Sequence, residues 1–133
     1  MASFFRSAFL IAALLPLARE ANAMDASNLL ASCETLLREM PVPGEDVAVS
    51  KDGLPCWYYM SAIQDSALLS DITRKPFLST CVPPNSTLTQ LIHIFVSYAQ
   101  SHPAGLSSPA VDLVFGALWE AYPQSQCKPW TPF

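Results

Sequence analysis

The chain has 133 residues, four of them cysteine, and a formal net charge of −4 from 7 basic and 11 acidic side chains. That length fits one domain with a real but small core. The acidic balance argues against nucleic acid or an anionic membrane surface as partner, because both polyanions repel a negative protein.

Residues 1–23 read as a secretory signal. Arg6 supplies the positive start, Phe9 to Leu17 the apolar stretch, and Ala21-Asn22-Ala23 a small-x-small cleavage site. The apolar run falls short of the ~20 residues that span a bilayer. Cleavage before Met24 is therefore expected, with export to the periplasm and no membrane association afterwards. Arg6, Arg19 and Glu20 leave with the signal, so the mature domain, 24–133, is one unit more negative than the whole chain.

The first helix is expected from Ala26 to Met40. Leu29, Leu30, Cys33, Leu36, Leu37 and Met40 share one stripe, Asp25 or Ser27 can cap the start, and Pro41 ends it. Pro41 to Pro55 reads as a loop, rich in Pro, Gly and charge. Pro55 suits the first position of a second helix, which runs from about Cys56 to Leu69 with Cys56, Tyr59, Met60, Ile63 and Ala67 on one face. Small Ala62 would let a neighbouring helix approach closely.

Ser70 to Asn85 is a second long connection. Thr87 and Gln90 form a T-x-x-Q capping box, in which each residue can satisfy the other's backbone N–H. Leu88, Leu91, Ile92, Phe95, Val96 and Ala99 make the stripe of the third helix, which stops at His102-Pro103. Ser108 is expected to cap, and Pro109 to open, a fourth helix with Val111, Val114, Phe115, Leu118 and Tyr122 inward. Pro123 stops it. The pattern is that of an all-α, four-helix, disulfide-linked small domain.

Cys33, Cys56, Cys81 and Cys127 all follow the signal. An even number in a small exported chain reads as a disulfide framework, and no C-x-x-C pair points to zinc. Four cysteines leave three pairings open. The short link between the third and fourth helices implies an antiparallel hairpin, which brings the start of one near the end of the other. That favours Cys81 with Cys127 and leaves Cys33 for Cys56.

The search for catalytic chemistry returns nothing. His93 sits beside an apolar stripe with no acid, Cys or Ser placed near it by spacing. His102 ends a helix, where it can meet the terminal carbonyls. Glu45, Asp46 and Asp52 lie in a Gly/Pro-rich loop, a poor support for acid–base work. No phosphate cradle, nucleophile elbow or zinc-binding H-E-x-x-H occurs. No cofactor, metal or enzymatic activity is expected. Trp57 and Trp119 read as core filling, whereas Trp130 and Phe133, beyond the last cysteine, suit a protein interface.

One stretch is more specific. Cys81-Val82-Pro83-Pro84-Asn85-Ser86-Thr87-Leu88-Thr89-Gln90-Leu91 leads to Tyr98 and His102-Pro103. Leu106-x-x-Pro109-Ala110 and Leu118-x-x-Ala121-Tyr122-Pro123 follow, and Leu29-Leu30-x-x-Cys33 and Cys56-x-x-Tyr59 precede it. In order and spacing this resembles the Rap/Tai family of type VI secretion immunity proteins, from about Asp25 to Cys127. Tyr58 stands where the family often has glycine, Ala62 replaces a second, and the last cysteine is delayed by Gln124-Ser125-Gln126. The resemblance implies a periplasmic protein, often a dimer, that binds and blocks a peptidoglycan amidase effector. On that reading Glu45, Asp46 and Asp52 would face the effector, with Trp57 or Tyr58 as an aromatic anchor. The competing expectation is a periplasmic stress protein, similar to the small acid chaperones, with no cognate toxin.

Overall fold

The computed structural model describes residues 23–40, 48–73 and 78–127. It contains four α-helices: α1 (Ala26–Glu39), α2 (Leu54–Thr73), α3 (Leu88–Ser101) and α4 (Ala110–Ala121). Short 3-10 turns follow α3 at Pro103–Gly105 and α4 at Gln124–Gln126. There is no strand among the described residues; Asp25 bridges Pro109 and Thr80 bridges Pro123 as isolated backbone pairs. The expected all-α, four-helix class is what the chain adopts.

Each helix start shows where its unpaired N–H groups go. In α1, Ala26 and Ser27 donate to the carbonyls of Ser108 and Leu106, at 2.9 and 3.0 Å. Asn28 donates to Asp25 Oδ1 at 2.8 Å. Ala110 returns a bond to the Met24 carbonyl at 2.8 Å, so the starts of α1 and α4 are laced together. In α2, Leu54 donates to the Ser50 carbonyl, Pro55 has no N–H, and Cys56 donates 3.0 Å to the hydroxyl of Ser32 on α1. The same hydroxyl donates to the Asp52 carbonyl at 2.6 Å. Ser32 is thus a cap supplied from a neighbouring helix. In α3 both bonds of the Thr87–Gln90 box form, at 3.2 and 2.9 Å.

The core is shared by all four helices. Leu29, Cys33 and Leu36 of α1 meet Cys56 and Met60 of α2, Leu91, Ile92 and Phe95 of α3, and Val114 and Leu118 of α4. Both α1 and α3 pack against α2 on one hand and α4 on the other. The α3–α4 pair is the hairpin expected from its short link. Gly53 lets the turn before α2 lie on α1, since a Cβ there would come within 2.9 Å of Glu39 Oε2 and 3.5 Å of the Leu36 Cα. Cys33 is bonded to Cys56, with Cα atoms 4.9 Å apart, and Cys81 to Cys127, at 5.3 Å. The first bridge is fully buried and staples α1 to α2. The second ties the entry to α3 to the chain leaving α4, beside a Cys81 N–H to Tyr122 carbonyl bond of 3.0 Å.

Several local expectations are corrected. α2 starts at Leu54 and reaches Thr73, longer at both ends than its apolar pattern, and Pro55 takes its second position. Pro109, not Ser108, occupies the N-cap of α4, and no side chain caps it, because the lacing to α1 supplies the partner. Ala62 is exposed and mediates no helix approach. On α4 the buried set is Ala110, Leu113, Val114, Ala117 and Leu118, while Val111 is 41% and Trp119 63% exposed. The core reading of Trp119 therefore fails; small Ala110 and Ala117 face inward where α4 lies close to its neighbours.

Candidate functional site

Of the residues expected to face a partner, Glu45 and Asp46 lie outside the described residues, as do Trp130 and Phe133. Asp52, Trp57 and Tyr58 gather at the start of α2. Asp52 is exposed in the turn that Ser50, Gly53 and Ser32 hold in place. Trp57 is half-buried against the core, and Tyr58 is 66% exposed. The result is one anchored and one exposed aromatic ring on the start of α2, directly after Cys56 of the buried Cys33–Cys56 bridge.

The turn that leads into this patch is tied back to α1. Glu39, at the end of α1, accepts the Ser50 N–H at 3.1 Å through Oε2. Hydrogen bonds from Ser50, side chain first and backbone second, hold the Glu39 carboxyl below its ordinary value. Asp25 is likewise lowered, chiefly by the Asn28 N–H and then by the Ser27 hydroxyl. Tyr59 is raised, first by burial and then by the negative charge of Asp112. These shifts belong to caps and packing.

The histidines behave differently from one another. His102 closes α3: its Nδ1 lies 2.8 Å from the Tyr98 carbonyl and its ring stacks on the Tyr98 ring, centroids 3.9 Å apart. Its expected role at the helix end is the observed one. His93 is exposed, on the rim of a groove of about 390 Å³ between α3 and α4. Tyr98 lines this groove with Ser97 and Ser101 of α3, and Ala117, Glu120 and Ala121 of α4. Gly116 creates the seat for Tyr98, since a Cβ there would meet the phenol oxygen at 2.8 Å.

Sequence reasoning missed this groove and, separately, the exposure of Trp119 on α4. The single available signal was that α4 is apolar on nearly every face, which implies that some of its apolar side chains stay outside. Among the described residues no group of three or more His, Cys, Asp or Glu could hold a metal, and no helix is long and apolar enough to cross a membrane. The surface offers aromatic rings, carboxylates and a shallow groove: the materials of protein recognition.

Comparison with known families agrees with that chemistry. The family model described as Rap1a immunity proteins matches residues 25–124, from the N-cap of α1 to the turn after α4. No curated protein and no solved structure matches the chain.

Proposed function

This chain belongs to the Rap1a immunity protein family, and from that premise we propose that it is exported to the periplasm and there binds and blocks a peptidoglycan amidase delivered by type VI secretion. The observation that carries the reading is the span of the family match, which takes in all four helices and three of the four bridging cysteines. The chain's own features support it. Two disulfides suit an oxidising compartment. A cross-linked frame enters a complex with little left to order, so less binding energy is lost to conformational entropy.

The start of α2 is the proposed contact face. Tyr58 offers a large exposed ring on a fixed helix, Trp57 lies half-buried next to it in sequence, and Asp52 contributes negative charge, to which Glu45 and Asp46 earlier in the sequence would add. Charge would speed the encounter, and the aromatic anchor would slow dissociation. Blockade needs no chemistry from the inhibitor, only occupation of the effector's cleft. Pairing of two copies, common in proteins that the sequence resembles, is part of the proposal and is read from sedimentation of the mature domain.

The acid-chaperone reading has no comparable support, since the family match is to immunity proteins. The test is protection of living cells. A bacterial host that sends to its periplasm a type VI peptidoglycan amidase from the same organism should lyse, and co-expression of the full chain should prevent lysis. Lysis unchanged by the full chain, with both proteins present in the periplasm, would overturn the proposal.

A further inference from the structure

Among the described residues, Leu78 and Ser79 are the non-glycine residues with positive φ, at 46° and 63°. A left-handed backbone pushes the Cβ of an L-residue towards the next carbonyl oxygen, and for a bulky side chain the conformation is an outlier. Glycine would adopt it freely. Leu78 does not offset the strain by packing, since 63% of its surface lies in water. Strain of this kind persists only where the surroundings enforce it, and such residues gather at binding and catalytic sites.

What enforces it lies on the C-terminal side of the turn. Thr80, 1% exposed, pairs with Pro123. Cys81 is bonded to Cys127 and donates its N–H to the Tyr122 carbonyl at 3.0 Å. Val82 then enters the core. From Thr80 onward the chain is fixed to the end of α4, so the left-handed pair stands on a rigid foot. The same two ties bring the turn Gln124–Gln126 beside Thr80 and Cys81; its three residues are exposed and uncharged, as is Ser79. One fixed apolar side chain beside polar, uncharged surface is the anatomy of an interface anchor.

We infer that Leu78 is a docking residue for the toxin effector: the left-handed turn holds its side chain outward as a knob for an apolar hollow in the effector's cleft. The inference rests on the reading of this chain as an effector-binding immunity protein, and it adds an anchor to the contact at the start of α2. Shape selects the occupant. A projecting leucine needs a concave partner, and an enzyme that takes a peptide into a cleft has one, lined mostly by apolar side chains. Two copies of this chain meeting turn to turn would set knob against knob and bury far less than the about 800 Å² per partner of a stable pair. A turn already fixed has little left to order on binding, so the strain carried by the free protein lowers the entropic cost of the complex.

The experiment measures two quantities on the purified, disulfide-intact mature domain: the urea midpoint, and the affinity for a purified type VI peptidoglycan amidase from the same organism by surface plasmon resonance. The variants are Leu78→Ala, Leu78→Gly and Ser79→Gly. Leu78→Ala should leave the midpoint unchanged, because the side chain is exposed, and weaken binding at least about tenfold, the loss expected when a leucine buried in the complex is cut back. Leu78→Gly and Ser79→Gly should raise the midpoint by relieving the strain. Leu78→Gly should weaken binding as much as alanine does, and Ser79→Gly less, by loosening the tip. Stability that rises while affinity falls is a result that a purely structural turn does not give. If the wild type binds and all three variants bind equally well, the inference falls while the immunity function stands. If the wild type does not bind, the function itself fails and the inference with it. A lower midpoint in Leu78→Ala would make Leu78 a packing residue, and glycines that leave the midpoint unchanged would remove the strain; either result overturns the inference. Variants that lose self-association yet bind the amidase as the wild type does would put a second copy of this chain on Leu78 and overturn it as well.

Discussion

Ser32→Ala removes one hydroxyl with two partners, and its cost can be worked from the structure. Ser32 is 7% exposed. Its oxygen accepts the Cys56 N–H at 3.0 Å in a buried setting and donates to the Asp52 carbonyl at 2.6 Å in a part-buried one. Alanine leaves the Cys56 N–H, at the first turn of α2, without its partner; an unsatisfied buried donor costs about 1–3 kcal/mol. The Asp52 carbonyl lies nearer water, which can replace the hydroxyl, so its loss falls at the low end of the same range. Against this, alanine gains up to ~0.5 kcal/mol in helix propensity. The net expectation is a destabilisation of about 2 kcal/mol, or roughly 10 °C in Tm for a domain of this size. Urea denaturation with both disulfides intact measures the first, and hydrogen exchange at the Cys56 amide locates it. Ser97→Ala, an exposed serine of α3, is the control and should lie near zero. A loss below ~0.5 kcal/mol with unchanged exchange at Cys56 would refute the cross-helix cap.

Four further outcomes can be measured. In the loop-entropy account, removing Cys33–Cys56, separation 23, should cost about 3 kcal/mol, and removing Cys81–Cys127, separation 46, about 4 kcal/mol. A mild dithiol should open Cys81–Cys127 first, because Cys33 and Cys56 are fully buried whereas Cys81 and Cys127 are partly exposed; thiol trapping and peptide mapping read the order. Asp25 and Glu39 have folded-state values below their ordinary 3.8 and 4.5, so they stabilise the fold fully above those values, and this contribution disappears as the pH falls through the lowered folded values. Acid titration should show that loss, and Asp25→Ala should shrink it and lower stability at neutral pH by removing the cap; an unchanged acid limb would count against the cap. Mass spectrometry of periplasmic protein should find Met24 as the first residue, and an intact Met1 in the membrane fraction would contradict export with cleavage.

The sequence was most readable where one residue type has one physical use. Thr87 and Gln90 announce a capping box, Pro123 follows the end of α4, and the stripe of α3 keeps clean helical spacing from Leu88 to Ala99. The cysteine pairing followed from the α3–α4 hairpin and is the pairing found. α4 misled because it is apolar on nearly every face. Val111, Val114, Phe115 and Leu118 and the observed Ala110, Leu113, Val114, Ala117 and Leu118 are both good helical stripes, one residue out of phase. Side-chain size favoured the wrong one; close helix packing favoured the alanines. The Trp119 surface and the α3–α4 groove were hidden for the same reason. Ser32 was invisible because a serine on a helix reads as solvated until the neighbouring helix start is known. Of the expected contact residues, Asp52, Trp57 and Tyr58 do share the start of α2, with Tyr58 exposed and Trp57 half-buried.

The central claim is that this chain neutralises a cell-wall hydrolase by binding it. The most direct measurement titrates the purified mature domain into a peptidoglycan amidase of type VI secretion from the same organism while following release of cleaved peptidoglycan. The account predicts that hydrolysis falls in proportion to added protein and stops once every amidase molecule is occupied, and that reduction of both disulfides abolishes the inhibition. Hydrolysis that continues at full rate in excess folded protein would contradict it.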